Sequence, residues 1–162
     1  MKFRVLSLLL LTFLSISCSN TDAKKSDTLV AGNDSLIFAE EVHFKSIRQI
    51  TFGGDNAEAY WSFDDQQLIF QSNNNEWGVE CDQMFLMNIN ENFSEKVPPM
   101  ISTGKGRTTC AYFLPDNKHY VYGSTHLGGE ECPPAPLRKN GRYVWPIYDS
   151  YDIFVSDLEG NI

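Results

Sequence analysis

The chain has 162 residues, of which 42% are hydrophobic, 21% charged and 13% aromatic, a composition typical of one globular domain. Its net charge is −8, and loss of Lys2 and Arg4 with the leader described below would change it to −10 (−8 minus 2). Because an acidic surface repels phosphate backbones, the charge argues against nucleic acid as a partner. The abundance of aromatic residues favours sheet over helix.

The first eighteen residues have the organisation of a secretion signal. A short basic stretch, residues 1–4, is followed by an apolar run from Val5 to Ile16. This run is shorter than the roughly 20 residues that a membrane-spanning helix needs, so it is set aside from the fold.

Leu14-Ser15-Ile16-Ser17-Cys18 resembles the lipobox of bacterial lipoproteins, although Ser15 stands where that pattern prefers Leu. The resemblance implies that Cys18 is acylated and becomes the N-terminus, anchoring the protein to a membrane through lipid alone. Ser19, in place of the Asp that marks inner-membrane retention, favours the outer membrane, with the protein facing the periplasm. The alternative is an ordinary cleaved signal with an incidental Cys.

Residues 19–44 are polar and irregular, and we interpret them as a flexible tether. Within them, Leu36-Ile37-Phe38 is a candidate short strand.

An internal repeat is the strongest signal in the sequence. Residues 59–72 match residues 111–124 at an offset of 52, with Ala, Tyr, Asp and Ser recurring at equivalent positions. Each copy is an apolar run, a turn and a second apolar run, and Pro115-Asp116-Asn117 has good turn chemistry. The runs are nearly continuously apolar, which is typical of strands buried on both faces.

Two further elements are duplicated. Met84–Asn88 matches Ile153–Asp157 at an offset of 69, and Gln49–Gly53 corresponds to Met100–Gly104. The sequence therefore predicts an all-β fold over residues 45–162, built as two four-stranded antiparallel blades of an incomplete β-propeller. The first blade is expected at about 55–104 and the second at about 107–162.

The repeat resembles that of TolB-like (WD40-like, PD40) β-propellers. The resemblance rests on Trp61–Asp65, Phe113–Asn117 and the strand Asp152–Val155. Together with the leader and the lack of catalytic groups, it favours a lipoprotein module that binds a protein or glycan at the cell envelope, without a cofactor. The alternatives are the gating or sensor part of a larger prolyl-oligopeptidase-like hydrolase, and a metal-dependent propeller lyase.

No sequence motif of a catalytic nucleophile is visible, so no catalytic residue is assigned and the chain is not expected to be an enzyme. Because two blades cannot close a ring, we expect the N-terminal fragment of a longer protein. The rival is a genuine two-blade chain that completes itself by oligomerising.

Propeller geometry predicts that Asn73–Glu80, the long Thr125–Asp149 segment and the links around Asp55 and 105–107 share one rim. Long loops in short-loop folds are usually functional or disordered. Lys105 and Arg107 could hold an anionic group, and the rings of Trp77, Tyr148 and Tyr151 could stack on a ligand. The simpler interpretations are that the two cations pair with nearby acids and that the rings pack between blades. Glu58, with Cys110 as its counterpart in the second copy, is expected near the central channel. The candidate rim residues are Glu58, Trp77, Lys105, Arg107, His126, Glu130, Glu131, Tyr148 and Asp149.

Cysteine and acidic residues in this region have two further conceivable roles, metal binding and disulfide formation. His126, Glu130, Glu131 and Cys132 lack a second His or Cys at ligand spacing, so no metal site is predicted. In an oxidising compartment one disulfide is expected among Cys81, Cys110 and Cys132. We favour Cys110–Cys132 or Cys81–Cys110, without preference between them.

Overall fold

The structure is a computed structural model that describes residues 36–134, 137–138, 140–142, 144–145 and 147–162. The predicted leader, Cys18 and most of the predicted tether lie outside this range. Its strands are β1 (Asp55–Trp61), β2 (Gln67–Asn73), β3 (Gln83–Asn88), β4 (Thr108–Phe113), β5 (His119–Ser124) and β6 (Asp152–Asp157). Within the described residues, no helix has the length and apolar character needed to cross a membrane.

The strands form two three-stranded antiparallel sheets, ordered β1-β2-β3 and β4-β5-β6. Their registers are equivalent: Gln67 pairs with Asn88 in the first sheet, and His119 pairs with Asp157 in the second. These two pairs are related by the same offsets, 52 and 69, that relate the sequences. The all-β prediction is confirmed.

The equivalence extends to unusual backbone geometry. Glu58 (φ 51°) and Cys110 (φ 50°) lie in matching bulges of β1 and β4, and both adopt left-handed backbone. Asp65 (φ 58°) and Asn117 (φ 55°) do the same in the two hairpin turns. Left-handed backbone is uncommon for residues with a side chain, so its recurrence 52 residues apart is a strong sign of a structural repeat.

The hairpin turns close with matching hydrogen bonds. The Ser62 amide donates to the Gln67 carbonyl at 2.9 Å, and the Leu114 amide donates to the His119 carbonyl at 2.8 Å. In the second turn the Asp116 carboxylate accepts from the Lys118 and His119 amides. These hydrogen bonds, together with the contact between the His119 ring and the same carboxylate, favour the ionised form and lower the pKa of Asp116 to about 2.

The main core lies between the two sheets, where β4 packs against all three strands of the first sheet. A second cluster covers the opposite face of the first sheet. The first sheet is therefore covered on both faces, as its continuous apolar runs predict. The main cluster contains Ile69, Met84, Ile101, Ala111, Phe113, Tyr120 and Tyr122, and the second contains Phe70, Val79, Phe85, Met87 and Phe93.

Each sheet has three strands, where the sequence predicts four. The fourth element of the first sheet is reduced to one bridge, in which Met100 pairs with Phe85 of β3. Residues 47–51 form no strand, although Ile50 packs against the second cluster. The expected strand at 36–38 is wrong, because Phe38 accepts a hydrogen bond from the Glu41 amide and begins a turn.

Candidate partner-binding rim

Three connections meet at one end of the two sheets, and we call this surface the rim. It consists of residues 74–82 between β2 and β3, residues 125–132 after β5, and the link 103–107. The Gly106 amide donates to the Glu130 carbonyl at 2.9 Å, and the Thr125 amide donates to the Arg107 carbonyl at 3.0 Å.

Gly106 is required for this close approach. Its φ is +58°, and a Cβ there would lie 2.7 Å from the Thr125 hydroxyl oxygen. Gly54, 52 residues earlier, has the same left-handed backbone and meets the chain at Asn73 and Asn74 in the same way. The local architecture of the rim is therefore part of the repeat.

A disulfide between Cys81 and Cys132 joins the two sheets at the rim, with 5.8 Å between the Cα atoms. Both pairings favoured from the sequence include Cys110, and both are wrong. Cys110 lies in the bulge of β4, exposed and unpaired. The two bonded cysteines lie on connections that only the packing of the sheets brings together.

Arg107 and Asp82 form the least exposed ion pair of the rim. Arg107 Nη1 lies 2.6 Å from Asp82 Oδ2, and each side chain is 18% exposed. Burial raises the pKa of the Asp82 carboxyl, although the Arg107 guanidinium opposes that rise. The Asp82 carbonyl also accepts from the Thr108 amide at 2.8 Å, so the pair connects the start of β3 to the start of β4.

The second rim cation, Lys105, pairs with Glu130 on the surface. Both basic candidates therefore interact with acidic groups of the chain, in agreement with the simpler interpretation. Among the described residues, the ion pairs leave a surplus of acidic side chains on and beside the rim. These side chains are Asp55, Glu76, Glu80 and Glu131.

Two other candidates are held by internal packing. The Trp77 ring meets Phe85 edge to face, with 5.2 Å between centroids, and it packs against the second cluster. His126 Nδ1 lies 2.9 Å from the Ser124 hydroxyl oxygen, and its ring lies 4.3 Å from that of Phe154. Both side chains have structural partners, which lessens their claim to a binding role.

The remaining candidates are Tyr148, Asp149 and Glu58. The Tyr148 hydroxyl donates to the Pro134 carbonyl at 2.8 Å, and its ring packs 5.8 Å from that of Tyr151. Asp149 is exposed in the turn that precedes β6. Glu58 is exposed in the bulge of β1 and accepts from the Tyr60 hydroxyl at 2.5 Å.

Two open, polar depressions lie on the rim. The first, of about 530 Å³, lies beside the disulfide and is lined in part by Glu80, Gln83, Glu130 and Glu131. The second, of about 550 Å³, is lined by residues 73–76 together with Gly54, Asp55 and Glu80. Their size lies within the range of ligand sites. Polar groups dominate the lining of both, although Val79, Met100 and the disulfide also line the first, so they suit polar groups of a partner better than an apolar ligand.

In the described part of the chain, no group of three or more His, Cys, Asp or Glu side chains is placed to hold a metal ion. Cys132, one of the four residues considered as ligands, is in the disulfide, and His126 is paired with Ser124.

Sequence reasoning missed Asp82, which also acts on the neighbouring Tyr151. Burial raises the pKa of the Tyr151 hydroxyl, the Arg107 guanidinium opposes that rise, and the Asp82 carboxylate adds to it. A sequence signal for Asp82 existed, since it directly follows Cys81 and precedes a predicted strand. The pairing of Asp82 with Arg107, 25 positions further along the chain, carried no such signal.

Comparison with models of protein families and with curated protein sequences finds no match to this chain. The fold itself defines an all-β protein of two equivalent antiparallel sheets, joined at the rim by a disulfide.

Proposed function

We propose that this chain is an exported, lipid-anchored β-propeller module of the TolB-like kind, which binds a protein or glycan at the cell envelope through its rim. The observation that carries the proposal is the structural repeat: two sheets with equivalent register, bulges and left-handed turn residues. Repeated small sheets of this kind are the building units of propellers.

Export is supported by two independent features. The first is the basic and apolar leader that ends at Cys18. The second is the disulfide between Cys81 and Cys132, since such bonds form and persist in oxidising compartments. A lipid on Cys18 would place the module at the periplasmic face of the outer membrane.

A binding role for the rim is supported by its charge and shape. Its two basic side chains are neutralised by neighbouring acids, while Glu80 and Glu131 border an open polar depression without an ion-pair partner among the described residues. Such a surface attracts cationic side chains and offers acceptors to hydroxyl groups. It fits a basic protein surface first and a glycan second.

The anchor is tested by expressing the full chain in a bacterial host supplied with labelled palmitate. We expect label in the wild-type protein and in Cys110→Ser, and none in Cys18→Ser. The labelled protein should fractionate with the outer membrane. Absence of label from the wild-type protein would refute the lipoprotein assignment.

The rim is tested by crosslinking in intact envelopes followed by capture of the full chain. We expect a discrete partner with the wild-type protein, weaker capture in high salt, and loss of capture in the double variant Glu80→Lys/Glu131→Lys. Glu95→Lys is the matched control, because it reverses an exposed charge in the connection that follows the opposite end of β3. Capture that is equal in all three proteins, or no partner at all, would count against the rim.

A further inference from the structure

We propose that Cys132 is a site of thiol–disulfide exchange, through which a dithiol protein of the Cys-x-x-Cys type opens and closes the bond to Cys81. The bond is then a reversible link across the rim and not a permanent one. The proposal rests on the surroundings of the two sulfur atoms, and it is independent of the lipid anchor and of a partner at the rim.

The two bonded cysteines differ in access to solvent. Cys81 is 4% exposed, whereas Cys132 is partly exposed in the connection that follows β5. The open depression of about 530 Å³ on the rim gives an approach to the bond. Because exchange requires access to the sulfur under attack, a thiolate that arrives from solvent reaches the Cys132 sulfur first.

A cation lies beside the more exposed sulfur. Arg107 Nη2 is 3.8 Å from Cys132 Sγ, while Nη1 of the same guanidinium is 2.6 Å from Asp82 Oδ2. A cation stabilises a thiolate far more than a disulfide sulfur, because only the thiolate is charged. Glu131, the chain neighbour of Cys132, acts against this effect, but it is exposed and therefore screened by solvent. Reduction is thus favoured at Cys132 by a guanidinium that is already in place.

The other sulfur has an acceptor for a thiol proton. Cys81 Sγ lies 3.0 Å from the Gly106 carbonyl oxygen, which also accepts from Gln83 Nε2 at 2.9 Å. A disulfide sulfur carries no proton to donate, whereas a thiol does. The carbonyl can therefore accept from Cys81 only after the bond has been opened. These surroundings favour an uncharged thiol at Cys81 and a thiolate at Cys132.

The exchange proceeds through two displacements. One thiolate of the dithiol protein bonds to Cys132 Sγ as the bond to Cys81 breaks, and the released Cys81 sulfur takes a proton from water. The second thiol of that protein gives its proton to water and displaces Cys132, which leaves as a thiolate beside Arg107. The dithiol protein is oxidised to a disulfide by two electrons, and this chain is reduced. Closure is the reverse, so Cys132 carries the mixed disulfide in both directions.

The two sheets have other contacts that remain when the bond opens. The main core lies between them, and the Asp82 carbonyl accepts from the Thr108 amide at 2.8 Å. The connection after β5 is also held at Glu130, whose carbonyl accepts from the Gly106 amide at 2.9 Å. Opening the bond therefore removes the covalent link between two rim connections while the sheets stay packed.

The redox equilibrium is the first test. The full chain with Cys18→Ser and Cys110→Ser, in mild detergent near neutral pH, is equilibrated with mixtures of reduced and oxidised glutathione, and its free thiols are counted after alkylation. We expect Arg107→Ala to shift the equilibrium about tenfold toward the disulfide, or about 30 mV, because the thiolate loses its cation. Lys105→Ala is the matched control, since Lys105 pairs with Glu130 on the surface, and it should change the equilibrium by less than about twofold.

The sign of the shift separates this role from a structural one. If Arg107 only held the rim together, its loss would separate the two sulfurs and move the equilibrium toward the dithiol. A shift in that direction, or no shift, would overturn the proposal.

Trapping the mixed disulfide identifies the sulfur that is attacked. The probe is a thioredoxin-type protein whose second active-site cysteine is replaced by serine, so that it attacks a disulfide but cannot release the product. With the same oxidised chain we expect a complex joined at Cys132, located by peptide mass spectrometry. The urea-unfolded chain is the positive control for the probe. A complex joined at Cys81, or no complex with the folded chain while the unfolded chain reacts, would also overturn the proposal.

Discussion

Replacing Arg107 by alanine tests whether the rim depends on its partly buried ion pair with Asp82. Arg107 lies 2.6 Å from Asp82, and both side chains are 18% exposed. The substitution leaves the Asp82 carboxylate largely buried beside the start of β4 without its cation. Removing one partner of a buried pair costs about 3–5 kcal/mol, and because this pair retains some solvent contact we expect roughly 2–3 kcal/mol.

Lys105→Ala is the matched control on the same link. The Lys105 and Glu130 side chains are 51% and 75% exposed, so their ion pair is well solvated. Exposed pairs contribute about 0–1 kcal/mol, and we expect the control to fall within that range.

Urea unfolding under oxidising conditions measures both costs. With an m value of about 2 kcal/mol/M, the Arg107→Ala midpoint should fall by at least about 1 M at pH 7. Equal costs for Arg107→Ala and Lys105→Ala would refute the reasoning, because they would show that burial does not distinguish the two pairs.

The pH dependence has a defined sign. Burial raises the pKa of Asp82 above its usual 3.8, even with Arg107 beside it. The folded protein therefore holds this proton more tightly than the unfolded chain does. As a result, the free energy of unfolding falls as the pH rises through the pKa of Asp82 in the folded protein. Arg107 opposes this loss, so the deficit of Arg107→Ala should be largest at pH 7 and shrink as Asp82 is protonated. A deficit that does not change with pH would contradict this account.

Three further predictions concern the turn, the disulfide and the glycine contact. Because the pKa of Asp116 is lowered to about 2, its contribution to stability should be present above pH 3.8 and be lost as the pH falls toward 2. Asp116→Asn should flatten that part of a plot of Tm against pH. Cleavage of the bond between Cys81 and Cys132, 51 residues apart, should lower the free energy of unfolding by roughly 4 kcal/mol in the chain-entropy model, measured by denaturation with and without reductant. Gly106→Ala should lower Tm more than Gly78→Ala. Both glycines have positive φ, but only at Gly106 would a new Cβ have other atoms within 3.0 Å. Equal shifts in Tm would contradict the contact argument.

The sequence predicted the repeat well because its signal is local. The offset of 52 identifies Glu58 with Cys110 and Asp65 with Asn117, and the structure gives each pair the same left-handed backbone. A strand–turn–strand unit depends on apolar runs and turn residues that lie close together in the chain. Pairing register then follows from which face is buried.

The candidate rim was predicted less well, because its contacts join distant residues. Trp77 has no local feature that separates a ligand-stacking ring from one packed on Phe85. The pairing of Cys81 with Cys132 depends on where two connections meet, and three cysteines carry no spacing rule that selects a pair. The pairing of Arg107 with Asp82 is of the same kind.

The sequence by itself determined the all-β class, the two equivalent units and the positions of their turns. These depend on apolar periodicity and local backbone preference, which are properties of short segments. Only the tertiary structure decided which cysteines are bonded, which rim charges are neutralised, and which apolar positions of equivalent sheets are buried or open. The physical reason is that these properties depend on the packing of one sheet against the other: Met84 and Ile153 occupy equivalent positions, yet only Met84 is covered.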